Sequence, residues 1–208
     1  MEISENEYNK MNPTQASEWI QTTLGITPEI VPSVIEVTEA GNSVVGRVTE
    51  DSIMITESAP EGVQYHEAWH RVSQLLIDSK HRDRIYKKYR NSGLTDKYID
   101  EKLADQFKDF MLTESGNYRF DTKNWFRRIY DFVKLWARTG QYGLAKIYSA
   151  INRGKYYGLK PNADNVARFK EIYKGEGPNM EVSGYQFKHI QTVKQLNDII
   201  NSLTYAFF

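Results

Sequence analysis

Apolar side chains recur every three or four residues along most of the 208-residue chain, which is the spacing of amphipathic helices. Polar residues, together with Gly, Pro, Asn and Asp, separate these stretches and mark their ends. The pattern predicts helices over about 14–24, 59–79, 80–90, 96–112, 122–136, 142–151 and 164–173, and a further helix from about 192. The chain is therefore expected to be mainly helical.

A different pattern occupies the region before residue 57. β-branched residues predict strands over 28–37, 43–48 and 52–56, and a further strand is predicted over 185–188. Strands followed by a run of helices indicate an α+β fold, with a small N-terminal β-sheet packed on the helix that begins near residue 59. We expect residues 1–12 to form a flexible arm, residues 13–176 one domain and residues 177–208 a C-terminal extension.

The last residues, Ala206, Phe207 and Phe208, are apolar, whereas chain termini are usually polar. Two explanations remain open. The sequence is truncated or cut out of a longer polypeptide, or a C-terminal helix docks on its own core.

Composition narrows the classes of function. Lys and Arg number 27, Asp and Glu number 27, and the net charge of zero argues against a general binder of nucleic acid or membrane surfaces. The absence of cysteine rules out disulfides and thiolate zinc sites, and is compatible with a reducing compartment or a virion. The polar N-terminus is not a secretory signal, and no apolar run is long enough to cross a bilayer. We expect a cytoplasmic protein or one packaged in a particle.

The chemistry is concentrated in a short stretch that contains two of the four histidines. His66, Glu67 and His70 form the pattern H-E-x-x-H, and residues four apart on a helix lie on the same face. Both imidazoles can therefore bind one zinc ion (Zn2+), while Glu67, about 100° further round, lies beside the ion. There it can take a proton from a water that the ion activates. The alternative is a surface helix that happens to carry these residues.

A catalytic zinc site needs a third protein ligand, and residues 100–105, D-E-K-L-A-D, resemble a second motif found in gluzincin metallopeptidases. In that family a Glu binds zinc, a small residue allows close approach of two helices, and an Asp hydrogen-bonds to a ligand histidine. The resemblance assigns these roles to Glu101, Ala104 and Asp105. Asp100 and Ala104 replace the usual Asn and Ser, and we expect neither change to touch the metal chemistry directly. The alternative is that Glu101 and Asp105 are solvated acids on an amphipathic helix.

Residues 46–110 also resemble zincin-like peptidase domains of large phage or mobile-element polypeptides. The longer metzincin pattern does not fit, because Ser73 and Leu76 occupy positions where it needs Gly and His. The resemblance implies a zinc metallopeptidase whose substrate is a polypeptide, such as a phage or particle protein or the remainder of a longer chain. It also implies that an edge strand of the sheet pairs with the substrate. We nominate residues 52–57 as this edge strand. Candidates for the donor that stabilises the oxyanion are Tyr118, Arg119 and His189.

Two other functions remain open. One is a non-enzymatic virion or scaffold protein that keeps a zinc-stapled fold. The other, which the balanced charge disfavours, is a nucleic-acid-associated protein that uses the basic helix over 80–90.

Overall fold

The structure, a computed structural model, describes residues 10–38, 41–112, 140–173 and 178–182. Within these ranges the chain forms helices and one small mixed β-sheet, which confirms the predicted α+β class. The predicted helices over 122–136 and from 192, the predicted strand over 185–188, and the oxyanion candidates Tyr118, Arg119 and His189 all lie outside the described residues. The α-helices are α1 (Pro13–Leu24), α2 (Val63–Arg71), α3 (Ser79–Arg90), α4 (Asp96–Phe110), α5 (Tyr142–Asn152) and α6 (Ala163–Tyr173).

Several helix ends follow directly from local sequence. The Asn12 side chain accepts a hydrogen bond from the backbone N–H of Gln15 at 3.1 Å, and Pro13 occupies the first turn of α1. Gly25 ends α1 with a left-handed φ of 73°. Thr95 caps α4 in the same way as Asn12 caps α1, through the N–H of Tyr98. The predicted bounds of α1, α3 and α4 are correct to within two residues.

The sheet contains β1 (Glu29–Val31), β2 (Glu36–Val37), β3 (Ser43–Val48), β4 (Ile53–Thr56) and β5 (Asn179–Val182). β1 runs parallel to β4, whereas β2, β4 and β5 all pair antiparallel with β3. The single strand predicted over 28–37 is wrong: bends over 32–35 divide it into β1 and β2. Proline at position 32 lacks an N–H group and cannot continue a ladder.

The nomination of residues 52–57 as the edge strand is also wrong. β4 pairs with β1 on one side and with β3 on the other, so it is an internal strand. β5 lies beyond the boundary predicted at residue 177 and pairs with β3 of the main sheet. At the other end, Met11 is only 4 % exposed, and its N–H donates to the Ala59 carbonyl at 3.0 Å. Residues 10 and 11, assigned above to a flexible arm, are therefore tied to the domain.

Helix α2 begins four residues later than predicted. Ala59 pairs with Met11 and Pro60 with Lys10, and the Ser58 hydroxyl pairs with the Thr56 hydroxyl. The turn into α2 is made by Gly62, at a left-handed φ of 90°.

The helix predicted over 59–79 also changes its winding before it ends. α2 ends at Arg71, and Val72–Leu76 continue as a π-helical turn in which the N–H of Ile77 donates to the Val72 carbonyl at 3.0 Å. The chain then enters α3, whose first turn is capped by the Asp78 side chain. Helix α2 itself packs against the sheet, α1 and α4, and is therefore buried on nearly all sides.

Within the described ranges, no helix is both long enough and apolar enough to span a bilayer.

Candidate metal centre

Two neighbouring helices bring three donor side chains together. His66 and His70 lie one turn apart on α2, and their Nε2 atoms are 3.0 Å from each other. Glu101 projects from α4, and its Oε2 lies 3.3 Å from His66 Nε2 and 3.5 Å from His70 Nε2. His66, His70 and Glu101 are the one group of this kind among the described residues that could hold a metal ion. The structure thus brings together the three residues that the two motifs single out.

The other nitrogen of each imidazole faces a carboxylate on α4. His66 Nδ1 lies 3.2 Å from Asp105 Oδ1, and His70 Nδ1 lies 2.7 Å from Asp100 Oδ2. When the Nδ1 atoms donate to these carboxylates, both Nε2 atoms carry lone pairs that point at each other and at Glu101. Three electron-rich atoms at this spacing need a positive charge between them. Either a proton or a metal cation can provide it.

The pKa values of the cluster are set by two opposing effects, burial and the neighbouring charges and hydrogen bonds. Burial alone lowers the pKa of His66, but hydrogen bonds with Asp105 and Glu101 outweigh it and raise the pKa above its ordinary value. Burial also opposes protonation of His70, yet the charges of Glu101 and Asp100 raise its pKa well above the ordinary value. Burial raises the pKa of Glu101, but the two imidazoles outweigh it and hold that pKa well below normal. The cluster is thus built to keep one or more positive charges beside its carboxylates.

Asp100 is not one of the three clustered donors, but it is hydrogen-bonded to one of them, His70. It is fully buried, and its two carboxylate oxygens accept hydrogen bonds from four side chains. The donors are His70 Nδ1 at 2.7 Å, Trp69 Nε1 at 3.0 Å, Ser73 Oγ at 2.7 Å and the Tyr86 hydroxyl. Burial raises the pKa of Asp100, but the charge of His70 and these hydrogen bonds lower it below its ordinary value. A signal for this role exists in the sequence, because Asp100 shares the apolar face of α4 with Leu103, Ala104 and Phe107.

Glu67 lies at the interface between α2 and strand β3. Its carboxylate rests over Gly46, where an added Cβ would come within 2.3 Å of Glu67 Oε1. A glycine at position 46 is therefore required for this packing. The periodicity of the sequence could not predict this contact, because the two residues are distant along the chain.

The Glu67 carboxylate is fully buried, and neither oxygen has a partner at good hydrogen-bond geometry, although the Met180 backbone N–H lies close enough to lower its pKa. Burial raises the pKa of Glu67 to about 7, although the charges of His66 and His70 act in the opposite direction. An unsatisfied buried carboxylate is costly and uncommon, and such groups are typical of functional sites.

Exposure is uneven across the cluster. The side chains of His66 and His70 are 3 % and 0 % exposed, whereas that of Glu101 is 30 % exposed. Asp105 is more exposed still, at 57 %, and also pairs with Lys108 at 2.7 Å. Solvent therefore reaches the cluster from the side of α4.

The basic helix over 80–90, considered above as a nucleic-acid surface, is partly committed to internal contacts. Arg82 is 2 % exposed and donates to the Ser73 carbonyl at 3.1 Å and to Asn165 Oδ1 at 3.3 Å. Arg90 pairs with Asp83 and Asp96. These two arginines therefore brace α3 against its neighbours.

Comparison of the chain with protein-family models, curated proteins and solved structures finds no significant match.

Proposed function

We propose that this protein is a zinc-dependent metallopeptidase of the gluzincin type, with His66, His70 and Glu101 as the zinc ligands. The observation that carries the proposal is the triangle of donor atoms, with edges of 3.0, 3.3 and 3.5 Å. Ligands of a tetrahedral zinc ion at bond lengths of about 2.0–2.1 Å are separated by about 3.3 Å. Two imidazole nitrogens and one carboxylate oxygen are also the donor set of catalytic zinc sites that keep a fourth position open.

The surrounding residues fit the division of work that peptide hydrolysis requires. Zinc, when bound, supplies a Lewis acid that polarises a carbonyl group and lowers the pKa of water. Glu67 then serves as the base that accepts the proton and returns it to the leaving amine. Its pKa of about 7, raised by burial, suits a group that must both take and release a proton near neutral pH. Asp100 and Asp105 fix the tautomer and direction of the two imidazoles.

The substrate class that we propose is a polypeptide. The resemblance of residues 46–110 to peptidase domains of large phage or mobile-element polypeptides suggests a target within the same longer chain or particle.

Metal analysis combined with a hydrolysis assay tests the proposal. The full chain is loaded with zinc, and cleavage of casein carrying a self-quenched fluorophore is followed. We expect about one equivalent of zinc, lost in His66→Ala and Glu101→Ala. Glu67→Gln is expected to keep the metal and lose activity by a factor of about 100 or more.

A matched control is available in the turn that precedes α2. Glu61→Gln makes the same chemical change at an exposed position and is expected to hydrolyse casein at the parental rate. Loss of zinc in Glu67→Gln, or equal activity in Glu67→Gln and Glu61→Gln, would contradict the role assigned to Glu67.

The depth of burial favours a second candidate, a zinc-stapled structural protein without catalysis. Glu67 and His70 are both fully buried, so substrate cannot reach Glu67 in this conformation. This candidate predicts that removing zinc lowers the melting temperature. It also predicts that the zinc-loaded protein cleaves no polypeptide, even in variants of the protein that expose the cluster to solvent.

A further inference from the structure

Strand β5 covers one whole side of β3. Ser43 pairs with Val37 of β2 and also with Val182 of β5, so these two partners must lie on opposite sides of it. Gly46 likewise pairs with both Ile55 of β4 and Met180 of β5. β2 and β4 therefore share one side of β3, and β5 occupies the other. Without β5, this second side of β3 would be an open sheet edge.

The same segment also lies over the proposed base. β5 packs against α2 as well as β3. Met180 is the register partner of Gly46, and Gly46 is the residue over which the Glu67 carboxylate rests. Met180 is 8 % exposed, and its backbone N–H lies beside Glu67 and lowers the pKa of that carboxyl group. The base is thus enclosed by α2, β3 and β5.

The pairing of β5 is short and irregular. The strand has four residues, and its register with β3 shifts between Val44 and Gly46. One further backbone bond, from the Val48 N–H to the Pro178 carbonyl at 3.3 Å, extends the contact. Each backbone hydrogen bond contributes only about 1 kcal/mol net. β4 is held by β3 on one side and by β1 on the other, whereas among the described residues β5 pairs only with β3 and across a shift in register, so β5 is the easier strand to displace.

We infer that residues 178–182 occupy in cis the edge of β3 at which an extended polypeptide would pair, and shield Glu67 until they are displaced. An open sheet edge binds extended peptides through backbone hydrogen bonds, in the manner of β-augmentation. A substrate strand would compete with β5 for the same N–H and C=O groups of residues 43–47. This inference rests on the proposed function, because the competing strand is a substrate only if the protein is a peptidase.

A binding measurement tests the occupancy independently of catalysis. The probe is a fluorescein-labelled synthetic peptide with the sequence of residues 176–184, added to the zinc-loaded full chain carrying Glu67→Gln. Met180→Pro places a proline ring in β5 at the residue paired with Gly46 and so disrupts the pairing of β5 with β3. Glu29→Pro is the matched control, because it introduces proline into β1, on the far side of β4 from β3.

We expect fluorescence anisotropy to report peptide binding at least about ten-fold tighter in Met180→Pro than in Glu29→Pro, as loss of two backbone hydrogen bonds implies. Circular dichroism and zinc content verify folding in both. If Met180→Pro does not fold, Val182→Pro at the end of β5 gives the same comparison. Equal affinities in folded, zinc-loaded variants would overturn the inference and make β5 an ordinary structural strand.

Hydrolysis with Glu67 intact separates the two proposals. For this assay the variant is Val182→Pro, which keeps the Met180 N–H beside Glu67. We expect Val182→Pro to cleave casein about ten-fold faster than Glu29→Pro, with the unlabelled peptide raising KM and leaving kcat unchanged. Tighter peptide binding without any hydrolysis would support the occupancy of the edge and contradict the peptidase. Hydrolysis at equal rates in the two variants would support the peptidase and contradict the shielding of Glu67.

Discussion

Two aspartates on α4 support the two imidazoles, and their surroundings differ sharply. Asp100, behind His70, is completely buried and accepts hydrogen bonds from four side chains. Asp105, behind His66, is 57 % exposed and shares its carboxylate with Lys108. The same chemical group therefore performs two tasks at one site. Asp100 joins His70 to the core, whereas Asp105 contacts the imidazole of His66 from the solvent side.

The difference has a physical basis in dielectric environment. Buried charges and hydrogen bonds interact strongly but leave large penalties when a partner is removed, whereas exposed ion pairs are worth about 0–1 kcal/mol. Changing Asp100 should thus affect both the free energy of unfolding and the zinc affinity. Changing Asp105 should affect the zinc affinity and leave the free energy of unfolding nearly unchanged.

Replacing Asp100 by alanine should have the largest effect. The change leaves four buried donors, among them Trp69 Nε1 and the Tyr86 hydroxyl, without their acceptor. We expect the free energy of unfolding of the metal-free protein to fall by about 3–5 kcal/mol, measured by urea titration. A loss below about 1 kcal/mol would mean that Asp100 does not join the site to the core.

The milder variant Asp100→Asn tests the charge separately from the shape. The amide can still accept hydrogen bonds from Ser73 and Tyr86 through its oxygen, but it can no longer orient His70 as a carboxylate does. We expect zinc affinity to fall by about 10- to 100-fold, measured by competition with a chromogenic chelator. Unchanged affinity would show that the negative charge at position 100 is not needed to direct His70.

Asp105→Asn should separate metal binding from stability. We expect about a ten-fold loss of zinc affinity by the same chelator assay, because the partner of His66 Nδ1 changes. The free energy of unfolding of the metal-free protein should change by less than about 1 kcal/mol, since Asp105 is largely solvated. A stability loss as large as that of Asp100→Ala would remove the distinction between the two aspartates.

Lys108→Met should have the smallest effect. It removes the ion pair with Asp105 but keeps a hydrocarbon stem beside Gly62, where Lys108 Cγ lies 2.8 Å from the position a Cβ would take. We expect both unfolding free energy and zinc affinity to change by about 0.5 kcal/mol or less in the assays above. A larger fall in zinc affinity would mean that Lys108 helps to hold Asp105 in place.

The sequence predicted those features that depend on neighbours along the chain. The cap at Asn12, the stop at Gly25 and the bounds of β3 all follow from local propensity and patterning. The convergence of His66, His70 and Glu101 could also be anticipated, because each motif fixes a helical face and the resemblance pairs the two motifs.

Features that depend on long-range pairing could not be predicted in the same way. The pairing of β5 with β3 joins residues more than 130 positions apart, and polar and apolar residues alternate over only four positions at 179–182, too few to predict a strand or its partner. The late start of α2 has a similar origin, because residues 10 and 11 engage Ala59 and Pro60, where the helix was predicted to begin. The contact between Gly46 and Glu67 is likewise a product of tertiary packing.

The π-helical turn at Val72–Leu76 affects how related sequences would be recognised. A turn of this kind holds one residue more than an α-turn, and such turns can arise by insertion of a single residue into a helix. A chain that lacks the extra residue would align with a one-position gap just after Arg71. A search that demands a fixed spacing between the histidine pair and the distant glutamate would pass over that chain, even where the two helices meet at the same place.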